Sequence, residues 1–225
     1  TGIGGPTPRS IAKTIRRKNP NYIIIGIDAN PKALGFFIPG LVDKHYISPR
    51  ATEIEYWPFI NSLITDEKID VAFVQPEQEV LEWGNYFNLY RAYPCPVLIP
   101  PVDLASVLID KSKMAEILED TEYIPKTMKI SQSDQRLSEV ARKINFPCWI
   151  RAIKGSGGLG SLKVENSDSL KSWLFINRNI MDFTISEFLP GRHLATQMLY
   201  FDGEYLKGAS LECAEYVMAS ISPSK

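Results

Sequence analysis

Arg151-Ala152-Ile153-Lys154-Gly155-Ser156-Gly157-Gly158-Leu159-Gly160 is the stretch on which the fold turns. Four of its last six residues are glycine. Such a run holds neither a helix nor a central strand, because glycine gives up the most backbone freedom on ordering. Pro147 to Ala152 before it and Ser161 to Val164 after it read as strands, so the run is the tip of a hairpin. Its backbone N–H groups can turn toward phosphate oxygens, with no Cβ to keep a ligand away. Arg151 and Lys154 add positive charge beside it. The competing reading is a plain flexible hairpin with incidental basic neighbours. No Gly-Lys-Ser/Thr closes the run, and it opens a strand rather than a helix, so neither the P-loop nor the dinucleotide fingerprint is present here.

Outward from the loop, a helix is expected over Leu137 to Ile144 and another over Asp168 to Ile176, with a short strand at Thr127 to Ile130. Strands follow near Thr184 to Phe188, Leu194 to Phe201 and Tyr205 to Met218, the last two joined by the hairpin signal Asp202-Gly203. A helix from Asp110 to Glu119 comes before all of these. This half reads as α+β with antiparallel strands. The first hundred residues differ. Tyr22 to Ile27, Asp70 to Val74 and Pro96 to Ile99 are short apolar strands, separated by helical patterns at Thr52 to Ile64 and Val80 to Tyr90. That alternation predicts a parallel sheet covered by helices. His45 lies in a strand-like segment with Tyr46 and Ile47 and reads as structural. Pro100-Pro101 is the expected boundary between the halves.

Bulk numbers narrow the class. The chain has 225 residues, 44% apolar and 23% charged, with 25 lysines and arginines against 26 aspartates and glutamates. These values fit a globular protein and provide no polybasic surface for nucleic acid. No apolar run reaches the roughly 20 residues needed to span a bilayer. Cys95, Cys148 and Cys213 lie far apart, without metal spacing, and the apolar strand-like settings of Cys95 and Cys148 read as reduced, buried packing in a cytoplasmic protein. Both ends read as cut. Thr1-Gly2-Ile3-Gly4-Gly5-Pro6 is a turn that ordinarily follows a central strand, and Ile221 to Lys225 reads as an interrupted loop.

The order of these signals resembles the ATP-grasp superfamily, in its branch of carbamoyl-phosphate synthases and biotin carboxylases. The order is a strand ending in a basic residue, a glycine-rich loop, a strand, a helix, and a strand carrying Glu187-Phe188-Leu189-Pro190-Gly191. The resemblance covers essentially the whole chain. It implies an α/β pre-ATP-grasp domain, Rossmann-like with a parallel sheet, over 1–101. An α+β lid subdomain over 102–187 would follow, then the start of a further antiparallel subdomain over 188–225. It also implies ATP as ligand, with magnesium held by residues beyond Lys225.

Carried over by position, Arg151 is the phosphate-contacting base that serves catalysis, and its fork can hold two oxygens at once. Ala152 stands where the family usually has proline. Gly155, Ser156, Gly157, Gly158 and Gly160 form the loop that closes over the phosphates. Glu187 is the acid near the adenine amino group, and Phe188 and Leu189 supply the backbone that reads the adenine edge. His193, after Arg192, falls where a ribose contact is expected. Lys111 matches the lysine that opens the first helix of the region. Met114, Ala115 and Leu118 share its face, so it points inward and needs an anion partner. A second nucleotide-binding lysine is expected near Glu119, where this chain is acidic.

The activity implied is that of an ATP-dependent ligase that makes an acyl phosphate from a small-molecule carboxylate, for attack by an amine. The fragment by itself is expected to lack turnover. No nucleic acid or membrane partner is expected, and a homodimer stays open. Two alternatives remain. One is a nucleotide-binding module without catalysis. The other is a dinucleotide-dependent oxidoreductase that uses Gly2-Ile3-Gly4 and Asp28, against which Thr7 replaces the third glycine. Asp28 also reads as a cap for the turn at Asn30-Pro31, and Glu77 as the start of a helix.

Overall fold

The structure is a computed structural model. It describes residues 1–133, 140, 143–155, 158, 160–213, 216–218 and 222–223, the last two segments as backbone only. The chain divides into two compact units, Thr1–Ser106 and Val107–Lys225.

The first unit opens with helix α1 (Pro6–Lys18), to which the sequence reading assigns no element. Pro6 fits the first helical turn, where its missing N–H costs nothing, and Arg16, Arg17 and Lys18 suit the negative end of the helix dipole. Strand β1 (Ile25–Asp28) pairs in parallel with β2 (Lys44–Ile47). The strands expected at Asp70–Val74 and Pro96–Ile99 contract to a single parallel bridge, Ala72 to Val97. Pro96, Pro100 and Pro101 have no N–H to donate, which limits the ladder there. The first residues lie alongside β1. Ile3 N–H donates to the Ile27 carbonyl at 3.1 Å, while the Thr1 ammonium reaches the Phe73 carbonyl at 2.7 Å. Helices α2 (Tyr56–Asp66) and α3 (Glu77–Tyr90) bring Tyr56, Ile60 and Trp83 onto Ile27, Val74 and Cys95 to form the core. Helix α4 (Val102–Ile109), also absent from the sequence reading, runs across the division between the units.

The second unit is built on a four-stranded antiparallel sheet of order β3-β6-β4-β5. Its strands are β3 (Thr127–Ser131), β4 (Cys148–Ala152), β5 (Leu162–Val164) and β6 (Asp182–Glu187). Strand residues alternate between faces. One face carries Cys148, Ile150, Val164, Phe183 and Ile185, which pack with Leu170 and Leu174 of α6 (Ser167–Ile176). Asn166 caps α6, its side chain accepting from Ser169 N–H at 2.9 Å. Phe183, Ile185 and Ile150 are wholly buried, each stabilising the unit by about 1.5–3 kcal/mol. The helix expected over Leu137 to Ile144 falls largely outside the described residues. Val140 and Ile144, which are described, belong to this core.

Helix α5 (Lys111–Ile117) is capped by Asp110, whose carboxylate accepts from the N–H groups of Ser112 and Lys113. Burial pushes the Asp110 carboxyl up, but its hydrogen bonds from Ser112 and Lys113 and the charge of Lys154 pull it net below the ordinary value. Beyond the sheet, β7 (Leu194–Phe201) and β8 (Glu204–Glu212) form a hairpin. Asp202 and Gly203 both take positive φ at its tip, as the hairpin signal requires. The strand expected to run on to Met218 stops at Glu212. A separate short pair follows, β9 (Tyr216–Met218) and β10 (Ser222–Pro223). Among the described residues no helix is long and apolar enough to cross a membrane.

Candidate functional site

The second face of the β3-β6-β4-β5 sheet is polar. Thr184 stands at its centre, paired across to Arg151 on one side and to Lys129 on the other. Trp149 and Ser186 follow on the same face, and Lys163 pairs with Trp149 from β5. Two cations therefore flank one hydroxyl on adjacent strands. Thr184 is 0% exposed, and its Oγ1 has no hydrogen-bond partner. The Nε of Arg151 is likewise buried and without a partner. Burial lowers the guanidinium's affinity for its proton. A buried unpaired donor costs about 1–3 kcal/mol. A guanidinium set on a polar sheet face beside a glycine run fits an anionic, phosphate-bearing ligand.

The glycine run begins at Gly155, shortly beyond the end of β4, and a side chain holds it at each end. Lys111, the first residue of α5, donates from Nζ to the carbonyls of Gly155 at 2.8 Å and Ile153 at 3.2 Å. The sequence reading gives Lys111 an anion as its necessary partner. The carbonyls of Gly155 and Ile153 are among its partners in the structure. At the far stem, the Trp173 indole N–H of α6 donates to the Gly160 carbonyl at 3.0 Å, and Ser161 N–H closes a turn on Gly158 at 3.0 Å. Gly155, Gly158 and Gly160 take φ of 104°, 76° and 63°, a region where only glycine is at ease. Ser156 and Gly157 lie outside the described residues.

The hinge residues separate. Glu187 ends β6 opposite Cys148, so strand alternation turns it to the face away from Arg151. Its Oε2 accepts from Lys126 N–H at 3.1 Å. Phe188 returns to the Arg151 face, with Lys163 Nζ 4.7 Å from its ring centre. Phe188 lies four positions beyond Thr184, roughly 13 Å at the rise of a strand, which is on the scale of an extended nucleotide. Leu189 is exposed. His193 sits at the start of β7, where its carbonyl accepts from Cys213 N–H at 2.8 Å. Glu119, exposed, joins Ser112, Glu116, Thr127 and Lys129 around a small pocket between α5 and β3.

In the first unit, Asp28 is committed to backbone. Its Oδ2 accepts from Gly4 N–H and its Oδ1 from Asn30 N–H, both at 2.8 Å. That is the capping role, and it occupies the oxygens a ribose would need. Glu77 is the first residue of α3, and His45 stacks on Phe36 with ring centres 4.7 Å apart.

Three residues of the site were not singled out from sequence: Thr184, Lys129 and Trp173. The first two had a signal, the alternation of polar residues at Lys129, Ser131, Asp182, Thr184 and Ser186. Trp173 had none, because its contact joins elements distant in sequence.

Comparison with known proteins bears on the same region. The family described as carbamoyl-phosphate synthase L chain, ATP binding domain, matches residues 110–194. The chain is 31% identical over 140 residues to the multifunctional protein pyr1-3 of Dictyostelium discoideum, and 29% identical over 135 residues to the multifunctional protein pyrABCN of Emericella nidulans. Each match covers 59% of this chain, and the chain spans only 6% of either relative.

Among solved structures, an ADP complex of N5-carboxyaminoimidazole ribonucleotide synthetase superposes with a TM-score of 0.68 at 13% identity, over 96% of this chain and 52% of that one. The biotin carboxylase of Campylobacter jejuni, in a nucleotide complex, gives 0.63 at 17%, over 96% and 50%. The biotin carboxylase domain of 2-oxoglutarate carboxylase from Hydrogenobacter thermophilus gives 0.63 at 15%, over 91% and 48%. This chain thus spans about half the length of these structures. The match to the carbamoyl-phosphate synthase L chain, ATP binding domain, thus lies over residues 110–194, which contain Arg151, the glycine run and Thr184.

Proposed function

We propose that this chain is part of an ATP-dependent ligase, in which the polar sheet face and the glycine run hold the phosphates of ATP. The observation that carries this reading is the buried Arg151 guanidinium, with an unpaired Nε, at the root of a glycine run anchored at both ends. The family match over the same residues supports it.

In this reading residues 1–101 form the pre-ATP-grasp domain, 102–187 the lid subdomain and 188–225 the beginning of the next subdomain. A carboxylate oxygen of a small substrate attacks the γ-phosphorus of ATP, and the bond from that phosphorus to the bridging oxygen of ADP breaks. An amine then attacks the carbonyl carbon of the acyl phosphate, and inorganic phosphate departs. The chain's contribution is alignment and charge neutralisation. Arg151 holds phosphate oxygens, and the N–H groups of Gly155 to Gly160 fold over them. Lys111 exchanges its carbonyl partners for phosphate. Phe188 and Leu189 line the base, Glu187 borders it, and His193 approaches the ribose. Among the described residues no group of three or more His, Cys, Asp or Glu is placed to hold a metal ion. The substrates are a small-molecule carboxylate and an amine, and the assembly is a homodimer.

The test is ligand-induced stabilisation of the full-length protein, followed by phosphate release. Mg-ADP should raise the melting temperature and NAD should not. ATP with a panel of small carboxylates should release phosphate, and Arg151→Ala should abolish that release and weaken, without eliminating, stabilisation by Mg-ADP. Stabilisation by NAD alone, or full activity in the Arg151→Ala variant, overturns the reading.

A further inference from the structure

We infer that Thr184 is a positioning residue for Arg151, and that its hydroxyl takes the Arg151 Nε proton as hydrogen-bond partner when a nucleotide is bound. The inference rests on the nucleotide reading above.

Arg151 and Thr184 are directly opposed on adjacent antiparallel strands. Side chains so placed have Cβ atoms about 5 Å apart and lie on one face. Both have a buried polar atom without a partner, Nε on Arg151 and Oγ1 on Thr184. The two atoms are complementary, since Nε–H only donates and a hydroxyl can accept. Two complementary orphans on opposed residues are an unusual pairing, because buried polar groups are nearly always satisfied. Neither is explained by packing. The opposite face of β6 is filled by Phe183 and Ile185, and an aliphatic residue at 184 would fill a closed position without burying a hydroxyl. Retaining the hydroxyl therefore carries a cost in this state that another state must offset.

Arginine's geometry says what that state is. Phosphate is gripped by the two terminal nitrogens or by one of them with Nε. A hydroxyl on Nε blocks the second mode and leaves the terminal pair facing outward, toward the glycine run that starts four residues further on. Thr184 would fix which edge of the fork meets the phosphate. Lys129, on the other side of Thr184, is half exposed and drawn toward Asp182, 4.0 Å away, so it does not compete for the hydroxyl.

The experiment is a double-mutant cycle on nucleotide affinity in the full-length protein, with Mg-ADP as the probe. Thr184→Val should keep or slightly raise the melting temperature, since it removes an unpaired buried hydroxyl. Its affinity for Mg-ADP should fall about tenfold, the loss expected for one hydrogen bond to a charged donor. Thr184→Ser should restore affinity to within about twofold of wild type, and Thr184→Val should cause no further loss when added to Arg151→Ala. Equal affinity in Thr184→Val, or the same loss with and without Arg151, overturns the inference. Thr184→Ala gives the same readout if the valine variant does not fold. Failure of the nucleotide reading looks different: the wild-type protein then does not bind Mg-ADP at all.

Discussion

Gly160→Ala isolates what the far stem of the glycine run costs. Gly160 has φ of +63°, where a Cβ costs about 1–2 kcal/mol. An added methyl would also meet Ile180 Cδ1 at 3.1 Å, Phe183 Cε1 at 3.2 Å and the Ala152 nitrogen at 3.4 Å. The first two contacts press on the core side of the sheet, where Phe183 is wholly buried and cannot give way freely. Overpacking of that kind adds about 1–2 kcal/mol. The sum is near 3 kcal/mol, a fall in melting temperature of roughly 10 °C. Gly203→Ala is the matched control. Gly203 has φ of +80° but nothing within 4 Å of the added carbon, so it bears only the backbone cost. Thermal denaturation of both variants separates the two contributions. A fall for Gly203→Ala as large as that for Gly160→Ala would refute the packing argument.

Glu79 is buried in the first unit, accepting from the Tyr56 hydroxyl at 2.8 Å, and burial pushes its carboxyl above the ordinary 4.5. A raised folded value means stability that is complete below about pH 4.5 and lost as pH rises through that folded value. Glu79→Gln keeps an acceptor for Tyr56, so it should melt higher than the parent near pH 8 and equally near pH 4. A difference independent of pH would contradict this. Trp173→Phe keeps a ring in place but deletes the donor to Gly160, and should cost about 1 kcal/mol. Amide exchange at Ser161, whose N–H closes the turn on Gly158, should quicken in that variant. An unchanged rate would show that the indole does not hold the stem.

Legibility followed the range of the interactions. Strand β4, the loop, β5 and α6 were readable because period, proline and glycine act within a few residues. Helix α1 was missed because Pro6 and Pro8 look like breakers unless they are recognised as first-turn residues. Helix α4 was missed because eight mostly apolar residues directly after Pro100-Pro101 are too short to show a helical period. Glu187 was legible as a strand-end acid but not in its orientation, which depends on the register with β4. The clasp of Lys111 on Gly155 joins residues 44 apart and leaves no local trace. Thr184 had the right alternation, yet only the sheet order showed that Arg151 and Lys129 lie on either side of it.

The order β3-β6-β4-β5 also governs when the second unit can come into being. Strand β6 is the last of the four to leave the ribosome, and it lies between β3 and β4. Until Asp182 to Glu187 emerge, β3 has no hydrogen-bonded neighbour and the β4–β5 hairpin stands without its inner edge covered. The strand that brings Thr184 to Arg151 is thus also the keystone of assembly, and a nascent chain ending before it holds an incomplete sheet with open edges.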